Sequence, residues 1–152
     1  MASRSVISLV FVFSFLFAGS SFAITEQFDV GAGQNSANLY IEWNDGYIAE
    51  FVVRFQPVSV SGMELMDIVE ASTSLTTVRI YDGAFIDGIS FNGHSNIGYN
   101  FGANWWHYWT KDGQADWMSP AFGATERIVH NGDSDGWIYG RDSEPVPEPV
   151  SI

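Results

Sequence analysis

Alternating apolar and polar positions give the clearest structural pattern in the chain, over residues 41–55. Two alternating runs flank Asn44-Asp45-Gly46, a turn whose glycine tolerates the positive φ of a tight hairpin. The second run separates apolar from charged side chains: Tyr47, Ala49, Phe51, Val53 and Phe55 share one face, and Glu50 and Arg54 share the other. These residues are therefore predicted to form a β-hairpin that ends at Pro57.

The period of the pattern changes to that of a helix over residues 61–72, SGMELMDIVEAS. Apolar side chains recur three and four positions apart: Met63, Leu65, Met66, Ile68 and Val69. Ser61 and Glu64 have the spacing of a capping box, in which each side chain accepts a hydrogen bond from the other residue's backbone. The pattern predicts a helix that begins at Ser61 and packs its apolar stripe on a sheet.

Short strand patterns occupy the rest of the body. The predicted strands are Thr76–Tyr81, Ala84–Phe91, Trp105–Thr110, Ala115–Met118, Glu126–Val129 and Trp137–Tyr139. Asn92–Asn104 is rich in glycine and asparagine and is predicted to be a loop. The order of strand pair, helix and many short strands predicts an α+β fold with a mainly antiparallel β-sheet and one packed helix.

The two ends of the chain differ from its body. Residues 1–23 have the features of a signal peptide: the basic Arg4, a twelve-position apolar run from Val6 to Phe17, and the small residues Ser21 and Ala23 at a cleavage site. This run is shorter than the roughly 20 residues of a membrane span, and no longer run follows it. A single domain is predicted over residues 24–141, and the acidic, proline-rich residues 142–152 are predicted to be a disordered tail.

Charge narrows the class of partner. The formal net charge is −12, and it becomes −13 without residues 1–23, which hold one basic residue and no acid. This balance argues against binding to nucleic acid or anionic lipid, because both would repel the protein. There is no cysteine, so stability outside the cell must come from the core and from hydrogen bonds rather than from disulfides. No cofactor is predicted.

The segment Asn131–Gly140, NGDSDGWIYG, allows two interpretations. Four residues match the spacing of calcium ligands in an EF-type loop, in which Gly136 would make the sharp turn: Asn131, Asp133, Asp135 and Asp142. The flanking segments have β-type rather than helical patterns, and they favour a turn between two short strands. In the second interpretation Asp133 and Asp135 cap backbone N–H groups and Trp137 enters the core.

Tryptophan is concentrated in one region, with five of the six residues between Trp105 and Trp137. In an extended strand Trp105, His107 and Trp109 would share one face, and Trp106 and Tyr108 the other. One face is predicted to lie in the core. The other is either covered by loops or forms a stacking platform for sugar rings, and the sequence favours coverage. The candidate ligand-binding residues are Trp105, Trp106, Tyr108, Trp109 and Trp117.

The sequence carries little sign of catalysis. Asp133 and Asp135 have the two-residue spacing that places carboxylates on one face of a strand, but aspartates are also common in turns. The histidines, His94, His107 and His130, lack zinc-ligand spacing, and no nucleophile or phosphate-binding motif occurs. The chain is therefore predicted to be non-enzymatic, with a small secreted hydrolase as an alternative.

The residues Val146, Pro147, Glu148 and Pro149 resemble the start of a PEP-CTERM sorting signal. In that bacterial signal a V-P-E-P motif precedes a membrane helix and a basic cluster, and it directs exosortase-mediated sorting to the cell surface. Neither the helix nor the cluster follows the motif in this sequence, whose last residue is Ile152. The resemblance implies a secreted bacterial protein that meets exosortase-type machinery, provided that the signal is complete.

The body, residues 39–139, is similar to a group of exported proteins that often carry such tails. The matching segments are Trp43–Tyr47, Tyr81–Ile89, Trp106–Gly113 and Gly132–Gly140. More distantly, the segments at Gly83–Ile89 and Trp106–Trp109 resemble the transcobalamin C-terminal-like domain, whose closing motif is shifted here by Ser134-Asp135-Gly136. This resemblance implies a β-grasp-like fold and leaves the ligand open.

These patterns lead to one expectation and two alternatives. The chain is expected to be a bacterial surface or extracellular matrix protein that acts as a non-enzymatic binding or structural module. One alternative is a module that binds polysaccharide through the tryptophan-rich strand, and the other is the small hydrolase.

Overall fold

The computed structural model describes residues 25–98 and 104–145 and gives them an α+β fold. The strands of this part of the chain are β1 (Thr25–Gly31), β2 (Asn35–Glu42), β3 (Ile48–Phe55), β4 (Ser59–Ser61), β5 (Thr76–Ile80), β6 (Phe85–Phe91), β7 (His94–Ile97), β8 (Trp106–Lys111), β9 (Ile128–His130) and β10 (Ser134–Tyr139). The helix α1 spans Gly62–Ser72. The predicted signal peptide and sorting motif lie outside the described residues.

Five strands form the main sheet, in the order β1-β3-β2-β10-β8. The predicted hairpin is confirmed as the antiparallel pair β2–β3, and β8 pairs antiparallel with β10. However, β1 runs parallel to β3, and β10 runs parallel to β2. The prediction of a mainly antiparallel sheet therefore needs correction for this sheet, which is mixed. Parallel neighbours far apart in sequence leave no local turn pattern from which they could be predicted.

The smaller sheets are antiparallel, and one of them corrects a predicted loop. β4 pairs with β9, and β6 pairs with both β5 and β7. β7 lies inside the segment 92–104 that was expected to be a loop. Asn92 and Gly93 have φ of 48° and 88°, as in a two-residue hairpin turn, so the residues that suggested a loop make the turn between two strands.

Another predicted strand is reduced to a single contact. Ala115–Met118 was expected to return antiparallel beside β8, but only Met118 pairs, with Thr110. The backbone N–H and carbonyl groups of these two residues exchange hydrogen bonds of 2.9 Å. Residues 112–117 instead form a loop between the end of β8 and this bridge, and this loop carries Trp117.

The core lies between α1, the smaller sheets and one face of the main sheet, called here the inner face. The helix begins as predicted: the Ser61 hydroxyl accepts a hydrogen bond from the Glu64 N–H, and the Glu64 carboxylate accepts one from the Ser61 N–H. The fully buried side chains include Leu39, Phe51, Leu65, Met66 and Val69. Burial of each contributes about 1.5–3 kcal/mol to the hydrophobic driving force, so this interface is the main source of stability.

The opposite, outer face of the main sheet is partly covered by the segment 141–145. The Arg141 guanidinium pairs with both oxygens of the Glu42 carboxylate on β2, and Pro145 is buried. The first four residues of the predicted tail, 142–145, thus lie against the domain. In the part of the chain that the structure describes, no helix is long and apolar enough to cross a membrane.

Candidate functional site

The tryptophan-rich strand β8 has two faces, as the alternation of its residues predicts. Trp106 lies on the inner face and meets Trp43 edge to face, with ring centroids 6.0 Å apart. Tyr108 lies on the same face, with its ring centroid 4.6 Å from that of Trp137. Both belong to or pack against the core. The other three candidate ligand-binding residues, Trp105, Trp109 and Trp117, are not part of this core.

Trp117 lies on the outer face against the neighbouring strands β2 and β10. Its ring meets that of Tyr40 at 5.7 Å with an angle of 83° between the planes. Gly136 of β10 lies beneath: a Cβ atom on it would be 3.5 Å from Trp117 Cζ3 and 2.6 Å from Pro145 Cγ. The glycine thus lets the indole and the proline ring approach the sheet closely.

A cavity of about 380 Å³ opens beside these rings. Small-molecule sites occupy ~300–1,000 Å³, so this volume suits a small ligand or part of a longer one. We call it the outer-face groove, and its floor and walls include Asn38, Tyr40, Lys111, Gln114, Trp117 and Ser134. Asp116, Glu144 and Pro145 also line it. It therefore combines two aromatic rings with amide, hydroxyl and charged groups.

Several polar groups of the groove have no partner of their own. Within residues 25–98 and 104–145, the side chains of Asn38, Gln114 and Ser134 form no hydrogen bond. Ser134 is only 6% exposed, yet it lines the cavity. Because Ser134 lines the cavity, its hydroxyl offers a ligand both a hydrogen-bond donor and an acceptor.

A buried charge cluster lies on the inner face, behind the groove. Asp135 is fully buried on β10, where its Oδ2 accepts a 2.5 Å hydrogen bond from the Tyr108 hydroxyl. Its Oδ1 accepts a 3.2 Å hydrogen bond from Arg127 Nε. Gly62, the first residue of α1, leaves room for this arrangement, because a Cβ atom there would be 2.3 Å from the Tyr108 hydroxyl oxygen.

The same cluster anchors the loop that carries Trp117. Arg127 Nη1 lies 2.6 Å from the Asp112 carboxylate, and Nη2 lies 3.5 Å from that of Asp133. The Asp133 carboxylate accepts hydrogen bonds from the N–H groups of Gly113, at 3.0 Å, and His130, at 2.8 Å. Asp112 and Gly113 begin the loop, so the buried arginine and its carboxylates hold the start of the loop, and the Thr110–Met118 bridge holds its end.

Burial and the charges of the neighbouring groups shift the pKa values of this cluster. It raises the pKa of Asp135 to about 6, although hydrogen bonds and charge from Tyr108 and Arg127 act in the opposite direction. Burial and the neighbouring Asp135 raise the pKa of Tyr108 far above its usual range. Burial disfavours the charged form of Arg127, but Asp135 and Asp112 outweigh it and raise the pKa.

The side chains of the four calcium candidates do not converge on one point. β10 begins at Ser134, so the segment is a turn followed by a strand, and the strand starts three residues earlier than predicted. Asn131 Oδ1 accepts a 2.8 Å hydrogen bond from the Ser36 N–H. Asp133 caps N–H groups, as predicted for it, whereas Asp135 binds Arg127 and Tyr108 instead. Asp142 is exposed and lies 3.5 Å from His107 Nδ1.

The described residues 25–98 and 104–145 include no group of three or more histidine, cysteine or acidic side chains placed to hold a metal ion.

Sequence reasoning found Trp117 but missed the other groove residues. Tyr40 and Asn38 alternate with the buried Leu39 and Ile41 on β2, so the strand period could have placed them on the outer face. Ser134 and Gln114 show no comparable signal, because only the tertiary fold brings them to the groove. Arg127 lies within a predicted strand and gives no hint there of a buried charge.

Comparison with models of protein families, with curated proteins and with solved structures finds no match to this chain. The function must therefore be argued from the groove itself.

Proposed function

We propose that this chain is an exported, non-enzymatic binding module that holds saccharide rings in the outer-face groove. The observation that carries the proposal is the Tyr40–Trp117 pair beside unpartnered polar side chains in a cavity of about 380 Å³. The module would act at the bacterial surface or in the extracellular matrix. The motif Val146–Pro149 would bring it to exosortase-type machinery when the sorting signal is complete.

A sugar ring suits the groove because it is itself amphipathic. Its axial C–H groups form an apolar face that packs on an aromatic ring, and its hydroxyls both donate and accept hydrogen bonds. Trp117 and Tyr40 offer the rings. Asn38 and Gln114 offer amides that donate and accept, and Ser134 offers a hydroxyl. The site that we propose is therefore centred on Trp117 rather than on the strand β8.

The connectivity supports a β-grasp-like fold as part of the proposal. In a β-grasp arrangement a hairpin precedes the helix, and a later strand lies parallel to the first hairpin strand at the centre of the sheet. Here the hairpin β2–β3 precedes α1, β10 lies parallel to β2, and β8 follows β10 in the order β3-β2-β10-β8. β1 adds a strand outside this set of four.

The hydrolase alternative draws no support from the carboxylate pair that suggested it. Asp135 is fully buried and Asp133 is 7% exposed, and both face the same arginine. Carboxylates of a glycoside hydrolase must flank the bond that is cleaved. In this cluster they neutralise Arg127 instead, which favours a positioning role for them.

A glycan array probed with residues 24–152, the mature chain after the predicted cleavage, tests the proposed function. We expect binding to a subset of oligosaccharides and competition by the same sugars in solution. The absence of binding across an array of bacterial, fungal and plant glycans would overturn the proposal.

A further inference from the structure

We infer that the outer-face groove selects glycans that carry free amino groups. This inference rests on the proposed function and names the class of sugar. Two carboxylates, Asp116 and Glu144, and one ammonium group, Lys111, line the groove. The sugar would lie against Trp117 and present its protonated amine to the carboxylates.

The three charged groups are available to a ligand. Among the residues that the structure describes, none of Lys111, Asp116 and Glu144 has a side-chain ion pair or hydrogen bond. Asp116 and Glu144 are exposed, so they keep their hydration until a ligand arrives. Ser134, which is 94% buried and has no side-chain hydrogen bond to the described residues, lines the same cavity and offers its hydroxyl to the ligand.

The balance of charge decides between classes of glycan. Two carboxylates outnumber one ammonium group at the groove, and the formal charge of the mature chain is −13. An acidic glycan such as a uronic acid polymer would be repelled by both the local and the overall charge. A neutral glycan would gain from stacking and hydrogen bonds alone. A cationic amino sugar gains these contacts, the attraction of the carboxylates, and cation–π attraction from the nearby indole.

Isothermal titration of the mature chain with three hexasaccharides tests the inference. The probes are a hexamer of glucosamine, a hexamer of N-acetylglucosamine and a hexamer of galacturonic acid. We expect the glucosamine hexamer to bind about ten-fold more tightly than the N-acetylated one, and the galacturonic acid hexamer to bind most weakly. Raising the salt concentration should reduce the preference for the glucosamine hexamer and leave the affinity for the N-acetylated hexamer unchanged.

The double variant Asp116→Asn/Glu144→Gln removes the carboxylates and keeps the side-chain shapes. It should lose the preference for the amine and bind the N-acetylated hexamer as the parent does. The control Asp82→Asn/Glu126→Gln makes the same change in net charge with residues that do not line the groove, and it should keep the preference.

The outcomes separate this inference from the proposed function. Equal binding of the amine and N-acetylated hexamers, or tightest binding of the galacturonic acid hexamer, would overturn the inference and leave saccharide binding standing. Binding on the glycan array only to sugars other than these three would do the same. A chain that binds no saccharide on the array or in the titrations would overturn both.

Discussion

Pro145 packs directly on Gly136, so closely that a Cβ atom on the glycine would lie 2.6 Å from the proline Cγ. This contact fixes the end of the segment 141–145 on the strand β10. The other end is held by the ion pair between Arg141 and Glu42. Because Glu144 and Pro145 line the outer-face groove, the start of the tail is one wall of the proposed site.

Substitution Gly136→Ala should therefore release the segment 141–145. The new methyl group displaces Pro145, and since a proline ring is rigid, the segment rather than the side chain must move. Trypsin should cleave after Arg141 faster than in the parent, which mass spectrometry detects as loss of residues 142–152. Gly123→Ala is the control, because its Cβ would meet only Thr125 Oγ1, at 3.9 Å. Equal cleavage rates in both variants would show that the segment is not held by this contact.

Gly62→Ala should destabilise the fold by about 2–3 kcal/mol. The added methyl group would lie 2.3 Å from the Tyr108 hydroxyl and 2.7 Å from Asp135 Oδ2, so α1 must shift or the buried hydrogen bond must break. Urea unfolding of the variant beside Gly123→Ala measures the difference. A free energy of unfolding equal to that of the parent would contradict the close packing of the helix start on Tyr108 and Asp135.

Arg127→Met should be among the most damaging single changes, at about 3–5 kcal/mol. It leaves the buried carboxylates of Asp135 and Asp133 without their cation, and removal of one partner of a buried ion pair is strongly destabilising. Arg54→Met removes an arginine from a pair with Asp29 in which both side chains are well exposed. It should change thermal stability little. A loss in Arg127→Met no larger than in Arg54→Met would contradict the role of the cluster.

Asp135 should make the protein more stable as the pH falls from about 6 to about 4. The folded state holds this pKa at about 6, against 3.8 for an ordinary aspartate, so in that window the folded state binds more protons than the unfolded state. This contribution to the free energy of unfolding is about 3 kcal/mol, from 1.36 kcal/mol for each unit between the two pKa values. It is fully present below about pH 4 and is lost as the pH rises from about 4 to about 6.

Unfolding of the parent and of Asp135→Asn across this pH range isolates the effect. Groups with lowered pKa, Asp29 and Asp45, act in the opposite direction in both proteins and cancel in the difference. The parent should gain stability relative to the variant as the pH falls. A difference that stays constant, or that shrinks, would rule out a raised pKa.

Sequence patterns predict those strands and helices whose conformation is determined by their own residues. The alternation of residues 47–55 and the capping box at Ser61 and Glu64 are local, and both structures form as expected. β4 and β7 are three and four residues long and have little apolar contrast, so their pairing depends on the partner strand. The parallel pairing of β10 with β2 joins residues 96 positions apart, which no local pattern encodes.

In the candidate site, too, some residues could be predicted from local sequence patterns and others depend on the tertiary fold. Trp117 stands out by its residue type, and Tyr40 could have been placed by the strand period. The groove depends on Gly136, which has no side chain, and on Arg127, which anchors the start of the loop 112–117. The Asp133–Asp135 spacing suggested a metal or a catalytic pair, but burial and the position of Arg127 determine what these carboxylates do.

The affinity of Trp117→Ala for a glycan that binds the parent tests the central claim most directly. Trp105→Ala is the matched control, because Trp105 is another candidate tryptophan that does not line the groove. Isothermal titration should show that Trp117→Ala binds about ten-fold more weakly or worse, as expected for an aromatic residue at the centre of a site, while Trp105→Ala binds like the parent. Unchanged affinity in Trp117→Ala together with lost affinity in Trp105→Ala would place the site on the strand β8 and contradict the account.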